Sequence, residues 1–248
     1  MENIFSNRDK AILIGLYLSK FDDEGLKELG FDGINQAFNI LGYSVGVKPS
    51  SIKNYRDEFD PYFPNLRKGW HKRTLREYCK KILDDFASLN FRDFTELIKS
   101  FLIQNYDIEK LTGKIEKKDK SESVAKRLIT GKSAEEYFKI YYSTVNQFKN
   151  YELKDATNLA CGFDFKLSQN TNFYCVEVKG LNLNSGNIAM TEKEFFVANK
   201  LKRQYCLFVV MNFAETPNHK FFFDPLNSDL TFKKTERKII QINYSTLL

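Results

Sequence analysis

A chain of 248 residues, 42% hydrophobic and 28% charged, carries enough apolar material for a buried core and is not a disordered tail. It has no apolar run near the ~20 residues of a membrane span, and no basic start with a small-residue cleavage site, so a cytoplasmic protein without membrane contact is expected. Four scattered cysteines (Cys79, Cys161, Cys175, Cys206) and two distant histidines (His71, His219) exclude a zinc knuckle, a C-x-x-C redox pair and chemistry built on clustered histidine, while a net charge of +6 suits a polyanionic partner.

Residues 1–106 read as a helical module, because apolar positions recur at three and four residues: Ile12, Leu13 and Leu16, then Leu26 and Leu29, Ile82, Leu83 and Phe86, and Phe94, Leu97, Ile98 and Phe101. Within it, residues 34–59 predict helix, turn, helix. Gly42 to Val47 supplies the turn and Pro49 suits a first helical position. Ser50, Ser51, Lys53, Asn54 and Arg56 then line an exposed side, the composition of a helix that reads base edges in a major groove. Arg67, Lys68, Lys72, Arg73 and Arg76 follow. Over residues 45–76 eight Lys/Arg face three acids, so most of the chain's surplus charge is concentrated here and predicts a DNA-binding surface. The alternative is a solvated charged helix. Trp70 either stacks on DNA or anchors the helical core.

Residues 107–127 are dense in Lys, Glu, Asp and Ser and read as a charged linker, or equally as a solvated helix. The third segment, 128–248, has a different texture. Ser133-Ala-Glu-Glu136 is a capping-box pattern that announces a helix through Tyr142. Strand-like runs at Cys161–Leu167 and Phe173–Val178 flank the turn-forming Ser168–Asn172. Thr191-Glu-Lys-Glu194 is a second capping box, opening a helix to about Arg203. Tyr205–Met211 is uniformly apolar, as in a strand buried on both faces. Phe221–Phe223 and Ile239–Ile242 suggest further strands. The expected fold is α/β (α+β), a helical N-terminal module followed by a mixed-sheet domain.

Alternation along Tyr174–Lys179 places Cys175, Glu177 and Lys179 on one face, and a hairpin can bring Asp164 beside Glu177. Two carboxylates with a lysine serve phosphodiester hydrolysis: the carboxylates hold Mg²⁺, the metal lowers the pKa of a bound water, and the lysine orients that water or offsets phosphate charge. Glu-x-Lys alone is uninformative, since it recurs at Glu116, Glu152 and Glu236. What sets Glu177 apart is its apolar strand, the preceding Gly162-Phe-Asp164 and the capped helix before both. The alternative is a structural ion pair of Glu177 with Lys179 or Lys166. Gly162 would let a backbone approach metal or DNA, or would simply allow a strand to bend.

Thr130–Phe138, Gly162-Phe-Asp164, Val176-Glu-Val-Lys-Gly180, Ile188–Thr191 with Glu194 and Ala198, and Tyr205–Val210 together resemble the domain named after the C-terminus of the plant protein NO VEIN, a branch of the PD-(D/E)XK nuclease superfamily. The resemblance covers roughly residues 128–213. It implies catalytic roles for Asp164, Glu177, Lys179 and Glu135, with Asp164 and Glu177 as metal ligands. For Glu135 the alternative is a first-turn carboxylate favoured by the helix dipole. The expected activity is sequence-specific cutting of double-stranded DNA, of the type II restriction kind, with Mg²⁺ (Mn²⁺ can substitute) and 5′-phosphate ends. A homodimer and a separate methyltransferase would accompany it. The rivals are a non-specific or structure-specific repair or defence nuclease, and a catalytically silent DNA-binding regulator.

Overall fold

A computed structural model describes residues 5–67, 69, 70, 73–103 and 118–236, with side chains except at 103 and 118–128. Helix α1 (Asn7–Glu28) opens on a reciprocal cap: the Ser6 hydroxyl accepts the Asp9 amide at 3.2 Å, and the Asp9 carboxylate accepts the Ser6 amide at 3.1 Å. Every residue from Lys10 to Ser19 is buried, so the other helices wrap α1 on all sides. These are α2 (Ile34–Ser44), α3 (Pro49–Phe59, with Pro49 in its first turn), α4 (Glu77–Phe86) and α5 (Phe91–Ile103). The Tyr17 hydroxyl meets Thr95 Oγ1 at 2.8 Å, giving the one polar group of that ring a partner inside the α1–α5 contact.

Helix α6 (Lys118–Tyr141) follows, then β1 (Glu152–Asp155), β2 (Phe165–Gln169), β3 (Asn172–Gly180), α7 (Glu192–Leu201), β4 (Tyr205–Met211) and β5 (Asn218–Phe223). The strands form one mixed sheet in chain order. β1, β2 and β3 are antiparallel neighbours, β3 and β4 run parallel through the α7 crossover, and β5 returns antiparallel to β4. All seven residues of β4 are buried, as its unbroken apolar text predicts. The fold is thus mixed α+β. Among the described residues no helix is long and apolar enough to cross a membrane.

Two expectations need correction. Ser133 does not cap a helix; it lies well inside α6, fully buried, with its hydroxyl proton shared between Ile40 O (2.9 Å) and Ile129 O (2.8 Å). The helix starts as far back as Lys118, so the last part of the segment read as a linker or a solvated helix takes the helical alternative; residues 107–117 lie outside the described residues, as do Ile239–Ile242. Strand β2 begins at Phe165 and not at Cys161, because Ala160 (φ 46°) and Gly162 (φ 92°) take left-handed backbone that no ladder accommodates.

One hydrophobic cluster runs from α1 through α6 to the inner face of β3 and β4. The helices and the sheet are also pinned by polar contacts: Gln36 Nε2 donates to Asn182 Oδ1 at 2.7 Å, and Asn39 Nδ2 to Phe213 O and Glu215 O, both at 2.8 Å.

The basic stretch around α3 is folded into this packing. On α3, Ser50, Lys53 and Asn54 are exposed and Ser51 is half-exposed. Lys53 and Arg56 bond the buried Asp57 at 2.5 and 2.8 Å, and Arg56 also lies over the Phe38 ring. Arg67 donates from Nε and Nη2 to the fully buried Asp60 (3.0 and 2.8 Å), which also accepts from Ser19. Arg76 clamps the buried Glu58 with two nitrogens. Exposed Arg73 stacks over the half-buried Trp70 at 4.8 Å. Lys68, His71 and Lys72 lie outside the described residues.

Buried carboxylates tolerate the core only while their guanidinium partners remain. Arg67→Ala is therefore expected to lower the unfolding free energy by about 3 kcal/mol, leaving Asp60 with the Ser19 hydroxyl and with Arg56 Nε, 4.0 Å away. Arg73→Ala should change it far less, having no buried acid to strand. Urea denaturation of both variants checks this; equal, small losses would contradict the buried-pair account.

Candidate active site

The site forms where β3 leaves the sheet beneath α7. Tyr174, Val176 and Val178 turn into the main cluster, while Cys175 turns the other way and packs with Ala198 and Tyr205. Glu177 shares the face of Cys175 and is only 4% exposed. Lys179 follows on the same face. Helix α7 covers them with the stripe Glu194, Val197, Ala198 and Leu201, spaced at three and four residues. Its start is fixed by the capping box read in the sequence: Thr191 Oγ1 accepts the Glu194 amide at 3.2 Å, and Glu194 Oε2 accepts the Thr191 amide at 3.0 Å. The same Glu194 oxygen takes a hydrogen bond from Lys179 Nζ at 2.8 Å, and Lys179 also donates to Glu177 Oε1 at 2.6 Å.

Asp164 stands immediately before β2. Its amide donates to Val176 O (2.9 Å), its carbonyl accepts from Ala156 (2.8 Å), and its carboxylate accepts the Val178 amide (2.8 Å). Three backbone-level bonds thus fix a carboxylate against β3, beside Glu177 as the hairpin reading requires. Gly162, two residues earlier, serves the bend: with φ at 92°, a Cβ there would sit 2.8 Å from Val197 and 3.2 Å from Lys193 O. Gly180 allows α6 to pass close by, since a Cβ would lie 2.9 Å from Thr130 O. That approach delivers Glu135. It is no first-turn residue, because α6 starts far upstream, so the helix dipole does not explain it.

The electrostatics are those of acids crowded away from water. Burial, followed by the Asp164 charge, pushes Glu177 up to about 8 and Glu135 up to about 7. Burial raises Asp164 to about 6, against the Val178 amide and the Lys179 charge, which pull it down. Lys179 is raised, its two carboxylate partners outweighing its burial, so it stays an ammonium. Glu194 is lowered despite its burial, chiefly by the Lys179 hydrogen bond. At the outer edge Lys139 bridges Glu136 (2.7 Å) and Asp155 (2.9 Å).

The Glu177–Lys179 ion pair offered as an alternative does exist, but Lys166 takes no part; it is exposed and lies over the Phe173 ring. The pair offsets Asp164 only in part, and Glu135 is offset only by Lys139; both stay raised. Sequence reasoning undervalued Glu194, placing it in a helix cap and in the family resemblance but giving it no role at the site. The signal was there in part, since a capping-box carboxylate must point back over the helix start, but nothing in the sequence says that Lys179 waits there.

Residues 134–223 match the family described as Protein NO VEIN, C-terminal. The matched span starts inside α6 and ends with β5, so it contains Glu135, Asp164, Glu177, Lys179 and Glu194. No curated protein and no solved structure matches the chain.

The donor set suits a hard divalent cation: carboxylate oxygens, buried at Glu177 and half-buried at Asp164 and Glu135, raised by loss of water and then by neighbouring acids. Among the described residues no three His, Cys, Asp or Glu groups already converge on one metal position. Mg²⁺ does not require that, because it binds through one or two carboxylates and keeps several waters.

Carboxylates raised in the fold bind more protons folded than unfolded between about pH 4.5 and 8, so stability falls as pH rises through that window. The melting temperature without divalent metal should drop from pH 5 to pH 8, and 5 mM Mg²⁺ should raise it more at pH 8 than at pH 5. A Mg²⁺ effect that is absent, or larger at pH 5, would contradict this arrangement.

Proposed function

We propose that the chain is a Mg²⁺-dependent deoxyribonuclease of the PD-(D/E)XK kind. The observation that carries the reading is Glu177, buried in an apolar strand beside the backbone-fixed Asp164, with Lys179 held in place by Glu177 and Glu194. Asp164 and Glu177 would hold Mg²⁺, or Mn²⁺ in its place. When bound, the metal neutralises charge on the scissile phosphate and acidifies a water. Lys179, with two of its three protons committed to carboxylates, has one left to aim at a phosphate oxygen or the attacking water. Glu194 fixes the direction of that ammonium. Glu135, raised toward neutrality, can hold or accept a proton at the site's edge. In the net reaction a water oxygen bonds to phosphorus, the P–O3′ bond breaks, and the 3′ oxygen gains a proton. The products are 5′-phosphate and 3′-hydroxyl ends.

Site-specific double-strand cutting of the type II restriction kind is the finer form of this reading, with one site per subunit of a homodimer and a separate methyltransferase protecting the host sequence. It rests on α3, where Ser50, Lys53 and Asn54 face solvent. A second reading, a structure-specific or non-specific nuclease, is favoured by the ion pairs that draw Arg56, Arg67 and Arg76 into the fold.

The test is digestion of a supercoiled plasmid of known sequence with Mg²⁺ or EDTA. Wild-type protein should cut only with Mg²⁺, and Asp164→Ala or Lys179→Ala should lose at least about 100-fold in rate. Discrete fragments support the site-specific form; a smear supports the second reading. Metal-independent cutting, or full activity in Asp164→Ala, would overturn the proposal.

A further inference from the structure

Helix α7 has two jobs on opposite sides. Its inner stripe, Glu194, Val197, Ala198 and Leu201, closes the site and packs on the sheet. On its outer side Lys193, Phe196 and Lys200, at i, i+3 and i+7, lie along one flank and all are exposed. Phe196 keeps 66% of its surface in solvent, while neighbouring Phe195 turns to the other flank and meets Phe232 edge-on. Beyond the helix, Lys202 takes a left-handed backbone (φ 50°) and ends it, leaving Lys202 and Arg203 exposed as well. Among the described residues Lys193, Lys200, Lys202 and Arg203 form no ion pair, unlike the paired arginines around α3. The exposed acid of this helix, Glu192, stands at the first turn, at the end nearest the carboxylate site.

An aromatic ring in open solvent between unpaired cations has a chemical counterpart. Phosphates neutralise the cations, and an unpaired base offers a π-face to the ring, a contact that does not depend on sequence. Lys193 and Lys200 are about 10 Å apart along the helix, close to three base-pair rises measured along a DNA duplex axis. Phe196 falls between them. Because Glu194 is on the same helix, a strand lying on this flank passes the start of α7, where Lys179 is held.

We propose that the outer flank of α7 binds a DNA strand next to the scissile phosphate, with Lys193 and Lys200 on phosphates and Phe196 stacked on an unpaired base. The inference rests on the nuclease reading for the word scissile and deepens it: the preferred substrate has a melted, mismatched or single-stranded position beside the cut. A wholly paired duplex would meet the lysines but offer the ring no base.

The test separates binding from cutting. Full-length wild type, Phe196→Ala and Lys193→Ala/Lys200→Ala are titrated in EDTA with two fluorescent oligonucleotides, a paired duplex and the same duplex with a mismatched 2-aminopurine. Phe196→Ala should lose about tenfold in affinity for the mismatched DNA, lose the change in 2-aminopurine fluorescence, and bind the paired duplex as wild type does. The double lysine variant should weaken on both and flatten the salt dependence by nearly two units of slope. Unaltered binding by both variants overturns the inference, even if wild type cuts plasmid. Changed sedimentation without changed DNA binding overturns it too, and marks the flank as a contact between copies of the chain. If Phe196-dependent stacking is found but no cleavage, the inference stands and the hydrolytic reading falls.

Discussion

A carboxylate buried in the middle of an apolar strand is the constraint around which the C-terminal half is organised. Glu177 lies between neighbours that are themselves buried, in a sheet whose next strand, β4, is covered on both faces. A charge in such a place is costly unless something answers it. Lys179 answers part of it, and the α7 cap carboxylate Glu194 fixes Lys179 from above. The fold then adds acids where compensation would be expected: Asp164 from the β2 side and Glu135 from α6. Stability alone gives no reason for this crowding. Under the proposed reading, a divalent cation and chemistry at a phosphate would supply one.

The N-terminal helices show the opposite economy. Their basic residues look like a binding surface in the sequence, yet Arg56, Arg67 and Arg76 are matched by Asp57, Asp60 and Glu58, which are buried. These pairs close α3 onto α1 and the segment after it. Part of the positive charge counted there is matched locally in the fold, whereas the lysines of α7 form no ion pair among the described residues. Local density of basic residues and availability of positive charge are therefore different properties in this protein.

Much of the sheet was legible. The apolar run of β4, the alternation in β3 and the Thr191 cap each follow from a local rule, and the structure realises them. Asp164 and Glu177 were legible as partners because a hairpin with a short polar turn leaves few registers. Other features were not. Ser133 carries a capping signature but sits inside a helix, since burial against Ile40 satisfies its hydroxyl better than a helix start would. Glu135 needed the approach of α6 to β3 that Gly180 permits, a long-range contact with no local signal. The partners of Arg67 and Arg76 were visible only as nearby acids, because pairing depends on how the chain turns after α3.

The central claim is that Asp164 and Glu177 form one binding position for a divalent cation. Calorimetric titration of Mn²⁺ at pH 7.5, in two buffers of different ionisation enthalpy, tests it most directly. The account predicts one bound ion per chain, release of protons from the raised carboxylates on binding, and loss of both in Asp164→Asn with the protein still folded. Absent binding, or binding that survives Asp164→Asn without proton release, would contradict it.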